Sequence, residues 1–493
     1  MRTRFPPSPT GFLHIGGLRT ALYNYLLAKQ TKGKFLMRIE DTDQARSIDG
    51  AVESFLRGLH WAGIPPEEGV VLQDGQVTQT GSKGPYFQSE RLPLYKKYAD
   101  ELLKGGFAYH CFCTSHRLEE MRKGQEARKQ APMYDRTCLK LPKEEVQQKL
   151  DEGVPHVIRM KVPHERTIAF DDDIRGNVSF QGHTVDDQVL LKSDGFPTYH
   201  LAHVVDDHLM DIDLVLRGEE WLSSLPKHIL LFEFLGWTPP RYAHVSLLLN
   251  KDKTKLSKRQ NSVSVDEYMN KGYLPEALVN FIALLGWNPG TTQEMLTMQE
   301  LIDQFSLERV QKAGAVFDTE KLDWLQGQWI RKIPKEEFAK RIHPLVTEKI
   351  PAAAHDKNFL QKAALIQERV TFFPEAPEML RYFYEEPTVS VDLLANEKQK
   401  VKKEDLPKIL PLLERILSAI PENEWNDARL QQDIRAEVAP SSGSESKWKL
   451  GQLLWPLRVA LTGLPYSPGA FEVAVVLGKE KTLERLKKAA KEI

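Results

Sequence analysis

Residues 4–17, RFPPSPTGFLHIGG, decide how this chain of 493 residues begins to fold. Arg4 and Phe5 end a short extended segment, and the prolines that follow fix φ and exclude a helix there. Apolar residues at helical spacing come directly after the stretch, which predicts a helix that starts near residue 15; they are Leu18, Ala21, Leu22, Tyr25 and Leu26. His14 therefore lies where a strand passes into a helix N-terminus.

This helix start has the composition of an anion site. A helix N-terminus presents unpaired N–H groups and the positive end of the helix dipole, which together attract phosphate. Gly11, Gly16 and Gly17 let the backbone approach a ligand closely, and His14 adds a side-chain donor beside them. The ordinary alternative is a glycine-rich turn before a helix with no ligand.

A second stretch, KLSKR at residues 255–259, brings cations. Lys255, Lys258 and Arg259 fall within five residues, a density that suits a loop closing over polyphosphate. Taken alone, such a basic cluster is also typical of a solvated loop.

The two stretches, in this order and at this separation, resemble the HIGH and KMSKS signatures of class I aminoacyl-tRNA synthetases. Four neighbouring segments are similar to glutamyl-tRNA synthetases: RFPPSPTG at 4–11, RIEDTD at 38–43, FPTYHLAHVVDDH at 196–208 and VLRGEEWL at 215–222. YDRTC at 134–138 and the C-terminal runs LRVALTG, SPG and FEVAVVLGKE extend the resemblance over nearly the whole chain.

Composition sets further limits. The 67 basic and 68 acidic side chains give a net charge of −1, so any contact with RNA must be local. Three cysteines do not suggest a disulfide scaffold, and the sequence has no secretory leader and no apolar run near membrane-spanning length. We expect a protein of the bacterial cytoplasm, or of an organellar matrix if a transit peptide has been removed, with no membrane partner.

Strand and helix patterns alternate in the N-terminal half, at 34–39, 49–63 and 214–216, which predicts a parallel sheet covered on both faces. Residues 73–85 are polar and predict a surface loop. The resemblance implies an α/β Rossmann-type catalytic domain in two halves, 1–106 and 197–250, around an inserted α+β acceptor-binding domain at 107–196. A helical stem-contact domain with the KMSKS loop (251–322) and an all-α anticodon-binding domain (323–493) follow.

The reaction implied by the resemblance joins glutamate to ATP as glutamyl adenylate and then transfers the acyl group to tRNA. Catalysis depends on cations aimed at the charge of the transition state, with Mg²⁺ held largely by the ATP phosphates. The family's catalytic residues match His14, Lys255 and Lys258. Its ATP contacts match Gly11, His14, Gly16, Gly17, Glu220, Lys255, Leu256, Ser257, Lys258 and Arg259.

Glutamate contacts also carry over from the family. Arg4 matches the reader of the side-chain carboxylate, where a neutral amide would cost about 1.5–3 kcal/mol. Ser8, Glu40, Tyr199 and Arg217 match the remaining contacts, with Glu40 placed for the α-ammonium group. His203 departs from the asparagine of many relatives. From the residues alone, Glu40 also fits a turn cluster, Arg217 a structural ion pair and Tyr199 a core aromatic.

Two further sites stay open. Asp43 matches a contact to the tRNA end, and it equally fits a turn. Cys111, Cys113 and Cys138 have the spacing of a zinc site found in part of the family, but the fourth position holds Lys140, which does not ligate zinc. His110 and His116 are the residues available to substitute; the alternative is three reduced cysteines without metal.

The expected partners are tRNA(Glu), L-glutamate and ATP, and the expected state is a monomer. A broader enzyme that also charges tRNA(Gln) is the alternative specificity, and a non-enzymatic RNA-binding relative is disfavoured because the signature residues are present. A truncated paralogue that glutamylates a queuosine base and a glutaminyl enzyme are disfavoured by the long helical C-terminal part. Exposed-looking candidates for anticodon contact are Arg381, Trp448, Trp455 and Arg458.

Overall fold

A computed structural model of the protein describes residues 1–256, 263–438 and 448–493. The chain divides into two compact units, unit 1 from Met1 to Leu322 and unit 2 from Asp323 to Ile493. Among the described residues, none of the helices combines the length and the apolar character needed to cross a membrane.

Unit 1 holds all the strands assigned within the described ranges: β1 Arg2–Phe5, β2 Lys34–Met37, β3 Glu68–Gln73, β4 Gln76–Thr80, β5 Ala108–Cys111, β6 Val157–Met160, β7 Thr167–Asp172, β8 Gly176–Gln181, β9 Val189–Leu191, β10 Leu214–Gly218, β11 Arg241–Val245, β12 Leu248–Leu249 and β13 Ala315–Val316. Its helices are α1 Ile15–Gln30, α2 Ala51–Trp61, α3 Leu92–Lys104, α4 Ser115–Ala127, α5 Lys143–Asp151, α6 Tyr199–Leu209, α7 Leu225–Phe234, α8 Val265–Asn270, α9 Pro275–Ala283, α10 Met298–Gln304 and α11 Thr319–Lys332, which runs on into unit 2.

Two four-stranded sheets position the site. In the first sheet β1, β2 and β3 are parallel, and in the second β10 pairs in parallel with β11. Helix α1 bridges them: Thr3 of β1 donates to the carbonyl of Asn24, and the Asn24 amide donates to the carbonyl of Leu216 in β10. The carboxyl ends of β1 and β10, which carry Arg4 and Arg217, therefore lie on the same side of this helix.

The structure corrects one prediction and adds to another. Residues 73–85 are not a plain loop, because β4 pairs antiparallel with β3 over five residue pairs. This strand is at the sheet edge and polar on both faces, so its pattern resembles a loop. Within 107–196, β7 and β8 form a hairpin that joins the second sheet through β11.

In the described residues of unit 2, 323–438 and 448–493, the assigned elements are helices, apart from one isolated β-bridge between Asn396 and Val401. Besides the end of α11 it contains α12 Lys335–Lys349, α13 Phe359–Ile366, α14 Ala376–Leu380, α15 Val391–Leu394, α16 Leu406–Ser418, α17 Asp427–Val438, α18 Leu450–Thr462, α19 Ala470–Leu477 and α20 Lys479–Lys491. Helix α16 buries one apolar face, including Leu410 and Leu413, in a core shared with α18, α19 and α20. Amphipathic spacing alone explains this packing.

Candidate active site

His14 caps the N-terminus of α1. Its Nδ1 accepts from the backbone N–H of Gly17 at 3.0 Å, and its ring is exposed. In the neutral ring the proton is then on Nε2, which makes that atom a donor. A Cβ on Gly16 would lie 3.2 Å from the imidazole, whereas a Cβ on Gly11 would meet nothing within 4 Å. Gly16 thus provides room for the capping ring, while Gly11 lines open space.

The chain on either side of the second signature lies beside the first. Lys255 is exposed and bridges to Leu249, and the N–H of Leu256 donates to the carbonyl of Leu248. Beyond the signature, the N–H of Ile15 donates to the carbonyl of Val263 at 2.8 Å, and Ser264 bridges to His14. Ser257, Lys258 and Arg259 themselves lie outside the described residues.

Arg4 is buried at the end of β1, where a carboxylate of α6 holds it. Its Nε and Nη2 each donate to Asp207 at 3.2 Å, and Nη2 lies 3.4 Å from Nδ1 of His203. The remaining nitrogen, Nη1, is buried and has no hydrogen-bond partner among the described residues. A buried guanidinium with one unmatched donor is suited to an anionic ligand.

Arg38 and Glu40 continue this network from the end of β2. Arg38 donates to Asp207 at 2.7 Å and to Glu40 at 2.9 Å. Burial raises the pKa of Glu40 in spite of the nearby Arg38 and Arg4. Burial also acts to raise the pKa of Asp207, but Arg4 and Arg38 outweigh it and hold that pKa below its ordinary value. A further cation beside Glu40 would therefore stabilise its ionised form.

Arg217, at the end of β10, faces the same pocket. It donates to the hydroxyl of Tyr199 at 2.7 Å, and the Tyr199 ring lies 5.2 Å from that of His203. His203 is buried, its Nδ1 is 3.3 Å from Asp207, and its Nε2 has no partner among the described residues. Burial, followed by the charges of Arg217 and Arg4, lowers the pKa of His203 well below its ordinary value. The buried Arg4, His203 and Arg217 and the half-buried Tyr199 therefore form one group.

The other predicted contacts lie nearer the surface. Ser8 and Glu220 are exposed, and a Cβ on Gly218 would overlap the Glu220 carboxylate at 2.2 Å. The neighbouring Glu219 has a structural role, since it pairs with Arg175 and accepts from the N–H of Leu247. Asp43 makes an exposed ion pair with Arg46 at 2.5 Å, which is the turn contact that its residue type alone suggests.

The sequence analysis did not assign Asp206 and Asp207. Both are fully buried on α6, where Asp206 accepts from Arg91 at 2.6 Å and from Tyr95 at 2.8 Å. Two adjacent carboxylates in the apolar run LAHVVDDHL were the available signal, because a buried carboxylate requires cations or donors. The same analysis passed over Trp221, whose ring lies 4.5 Å from that of Tyr199.

The three cysteines come together in the part of the insert outside the second sheet. Their Sγ atoms all lie within 4.8 Å of one another, with 3.5 Å between Cys113 and Cys138. Hydrogen bonds from Cys138 and Tyr134 lower the pKa of Cys111 to about 4, against the effect of burial.

The residues considered as a fourth zinc ligand do not lie within the cysteine cluster. Lys140 is exposed, and His116 is 81% exposed beside Glu120. His110 is not in the cluster of candidate ligands found among the described residues. The Tyr134 hydroxyl lies 3.4 Å from Cys111 and 3.3 Å from Cys113 instead. The same hydroxyl accepts from the N–H of Cys138 at 3.0 Å, and burial with the neighbouring thiols raises its pKa, so Tyr134 is a hydrogen-bond partner of the cluster and the three sulfurs are its candidate zinc ligands.

The predicted anticodon residues are less exposed than their sequence suggested. Trp448 and Trp455 pack against the core of unit 2, and the Trp455 indole donates to the carbonyl of Leu393 at 2.9 Å. Arg381 pairs with Glu378 and Glu385 on its own segment. Arg458 is half-buried, and burial lowers its pKa.

Comparison with known proteins agrees with this geometry. A family described as "tRNA synthetases class I (E and Q), catalytic domain" matches residues 1–324, and an anticodon binding domain matches residues 337–490. Glutamate–tRNA ligases of Chlorobium phaeovibrioides and Alkaliphilus metalliredigens are 46% and 44% identical to this chain. Each alignment covers 99% of this chain, with 94% and 98% of the respective relative.

Solved structures give the same result. A glutamate tRNA ligase from Elizabethkingia meningosepticum in complex with its amino acid matches with a TM-score of 0.83 and 36% identity. The glutamate-tRNA synthetase of Elizabethkingia anophelis matches with a TM-score of 0.84, also at 36% identity. Each match covers 100% of this chain and 99% of the other. The chain therefore belongs to the glutamate–tRNA ligase family of class I tRNA synthetases.

Proposed function

We propose that the protein joins L-glutamate to tRNA(Glu) through a glutamyl adenylate made from ATP. The observation that carries the proposal is the group of Arg4, Arg217, Tyr199 and His203, with Glu40 at its edge. It offers cations for two carboxylates and one carboxylate for an ammonium group. That charge pattern is complementary to glutamate.

Arg4 reads the side-chain carboxylate of glutamate in this proposal. Its Nη1 is the buried donor without a partner among the described residues, and a carboxylate oxygen would satisfy it. Glutamine would present a neutral amide to the same donor. Glu40 binds the α-ammonium group, which gives this buried carboxylate a second cation beside Arg38. Tyr199, His203 and Arg217 complete the pocket, and Ser8 lies at its exposed rim.

ATP binds between the two signatures. His14 at the N-terminus of α1 donates to the phosphates, and Gly11, Gly16 and Gly17 keep the approach open. Lys255 and Lys258 stabilise the negative charge that develops when the glutamate carboxylate attacks the α-phosphate, with Leu256, Ser257 and Arg259 completing the loop. Mg²⁺ supplies charge neutralisation on the ATP phosphates. The exposed Glu220 contacts the nucleoside.

Charging of purified tRNA(Glu) and tRNA(Gln) with labelled glutamate tests the function. Labelled tRNA(Glu) alone is the expected product of a discriminating enzyme, and labelling of both tRNAs identifies the broader specificity. If neither tRNA is labelled in the presence of ATP and Mg²⁺, the proposal is wrong.

Activation is tested through Lys258. Lys258→Ala should lower adenylate formation by about 10²-fold or more, because a transition-state cation is lost. Lys271→Ala is the control, because Lys271 is an exposed lysine at the C-terminal end of α8, after the second signature. We also expect pyrophosphate exchange to require tRNA(Glu), so exchange by the protein alone would contradict that part.

We further propose that the thiolates of Cys111, Cys113 and Cys138 hold a zinc ion, with the Tyr134 hydroxyl hydrogen-bonded beside them. Elemental analysis should give one zinc per chain, and Cys113→Ser should lower the occupancy, whereas Tyr134→Phe, which keeps the three thiols, is the control. A fully charging protein with less than about 0.1 zinc per chain would overturn this assignment.

Residues 107–196 bind the acceptor end in this proposal, with Asp43 near the terminal nucleotide. The helical residues 251–322 contact the stem, and residues 323–493 bind the anticodon. The protein works as a monomer in the bacterial cytoplasm or an organellar matrix. Light scattering on the protein with and without tRNA(Glu) tests the monomer, for which one chain per complex is expected.

A further inference from the structure

Arg217 is held differently from the other arginines that surround the pocket. Arg4 and Arg38 both form ion pairs with Asp207. Arg38 also pairs with Glu40, and Arg91 pairs with Asp206. Arg217 instead donates to His244 at 3.0 Å and to Tyr199 at 2.7 Å, with His228 at 3.4 Å. Its contacts among the described residues include no carboxylate within ion-pair distance.

The protonation of His244 follows from its two contacts. Arginine nitrogens carry only donors, so the bond from Arg217 Nε at 3.0 Å requires a lone pair on Nε2 of His244. The ring proton is therefore on Nδ1, where Oδ2 of Asp172 accepts it at 2.6 Å. Asp172 in turn is fixed by the backbone N–H groups of Ile174, Arg175 and His244. Asp172 on β7 thus sets the tautomer of His244 on β11.

The protonation of His228 follows from the same argument, because this ring also faces donors of the Arg217 guanidinium. Its Nδ1 faces both Arg217 Nη atoms and so carries the lone pair. The proton on Nε2 then points to Nδ1 of His200, 3.0 Å away, which must accept. Burial and the neighbouring cations keep both rings neutral: they lower the pKa of His200 to about 3 and that of His228 well below its ordinary value. The guanidinium of Arg217 therefore lies between two histidines of opposite tautomer: His244 carries its proton on Nδ1 and His228 carries its proton on Nε2.

We infer that His244 and His228, with Asp172 behind His244, are positioning residues that fix Arg217 without neutralising it. Of the four guanidiniums around the pocket, Arg4, Arg38 and Arg91 pair directly with three carboxylates and Arg217 does not; a fourth carboxylate, Asp172, reaches Arg217 only through the ring of His244. Free glutamate carries one net negative charge. A carboxylate in place of either histidine would hold Arg217 at least as firmly but would cancel the charge that the substrate needs. This inference rests on the proposed function, since Arg217 must contact glutamate.

The matched pair His228→Asn and His228→Asp tests the inference. Both side chains put an oxygen acceptor near the position of Nδ1, and they differ by one charge. We expect His228→Asn to raise the KM for glutamate by about threefold and His228→Asp by about thirtyfold or more, because only the second offers Arg217 an internal carboxylate. The KM for ATP should change by less than about threefold in both, because the contacts of His228 among the described residues are to Arg217, His200, Tyr199 and His203 and not to the residues proposed to bind ATP.

A purely structural role predicts the reverse order, because an arginine–aspartate bond is stronger than an arginine–amide bond. Equal KM values for the two variants, or a lower value for His228→Asp, would overturn the inference while the unaltered protein still charges tRNA(Glu). If the unaltered protein does not charge tRNA with glutamate, the proposed function fails first and the inference falls with it.

A second measurement needs no destabilising variant. In protein labelled with ¹⁵N-histidine, long-range ¹H–¹⁵N spectra at neutral pH should show His244 protonated on Nδ1 and His228 on Nε2, with neither ring charged. Signals are assigned with His228→Asn and His244→Gln. A charged ring, or the opposite tautomer at either position, would overturn the inference.

Discussion

Unit 1 and unit 2 bury different kinds of side chain. Within unit 1 the buried set contains many charged groups: Arg4, Arg19, Arg38, Glu40, Glu68, Arg91, Arg159, Asp172, Asp187, Asp206, Asp207 and Arg217. Among the described residues of unit 2, Arg485 alone is both charged and buried, and its guanidinium donates to the carbonyls of Leu461 and Tyr382. The other buried side chains of unit 2 are apolar or uncharged, the polar ones being Gln326, Gln367, Thr462, Ser467 and Thr482.

The difference separates stability from chemistry. Replacing buried ion pairs by apolar side chains is often neutral or stabilising, so such pairs are weak evidence for a stability role. In unit 1 many of them converge on the pocket of Arg4 and Arg217. Unit 2 shows that a compact unit can form with a single buried charge among its described residues, that of Arg485. The buried charges around this pocket are therefore explained by the ligand they have to meet, whereas Arg19, Glu68, Arg159 and Asp187 have partners elsewhere in unit 1.

Asp207→Asn should have the largest effect. The change leaves Arg4 and Arg38 without their shared carboxylate, and removing one partner of a buried pair costs about 3–5 kcal/mol of unfolding free energy. The KM for glutamate should also rise about tenfold or more, because Arg4 loses the anchor that orients it. Urea unfolding and tRNA charging at varied glutamate measure the two effects.

Asp100→Asn is the matched control for this change. Asp100 pairs with Lys96 on the surface of α3, so both quantities should stay within experimental error of the unaltered protein. A stable Asp207→Asn protein with an unchanged KM would show that the buried charges of unit 1 are not there for glutamate.

Leu410→Ala probes the core of unit 2. Leu410 is fully buried on α16, and a truncation of this kind costs about 2–5 kcal/mol through lost burial and the cavity left behind. Leu360→Ala, at a position 40% exposed in the same unit, is the control and should cost far less. Thermal unfolding measures the difference, and the KM for glutamate should be unchanged. A raised KM would mean that the apolar core also supports the pocket.

The two units also differ in how far the sequence predicts them. Helical periodicity was sufficient for unit 2, since the apolar faces of helices such as α16 determine its core. In unit 1 the local signals placed His14 at a helix start. They could not pair Arg4 with Asp207, which lies 203 positions away. Only the folded sheet brings the ends of β1 and β10 to one pocket.

Two other misses have physical reasons. The β4 strand is polar and at a sheet edge, so neither face carries an apolar alternation. Tyr134 reaches the cysteine cluster from an aromatic position that sequence spacing treats as ordinary core. All the substrate, ATP and tRNA contacts carried over from the family stay predictions, and those at 8, 43 and 220 also lack a packing signal because these residues lie near the surface.

Acid should reduce the difference between the unaltered protein and Asp207→Asn. The pKa of Asp207 is held below its ordinary value, so its stabilisation is complete above the unfolded pKa near 3.9 and disappears as the pH falls through the folded pKa. Glu40 has the opposite sign, since burial raises its pKa and it disfavours folding once it ionises. Urea midpoints of the two proteins from about pH 6 to pH 3 should therefore converge below about pH 4. If the difference between the two urea midpoints stays constant over this pH range, the charge of Asp207 does not explain its contribution to stability.

Glu233→Gln should have the smallest effect, although its ion pair has better geometry than that of Asp207. Arg166 donates to both Glu233 oxygens at 2.6 and 2.8 Å, but the two side chains are 47% and 46% exposed. We expect a loss of about 0.2–1 kcal/mol that shrinks further between about 0.1 M and 1 M salt, where screening shortens from about 10 Å to about 3 Å. The loss in Asp207→Asn should not change with salt, because water and ions do not reach that pair. Urea unfolding of both variants at the two salt concentrations measures this contrast. If Glu233→Gln costs as much as Asp207→Asn, bond geometry and not burial sets the value of these pairs, and the two units differ only in composition.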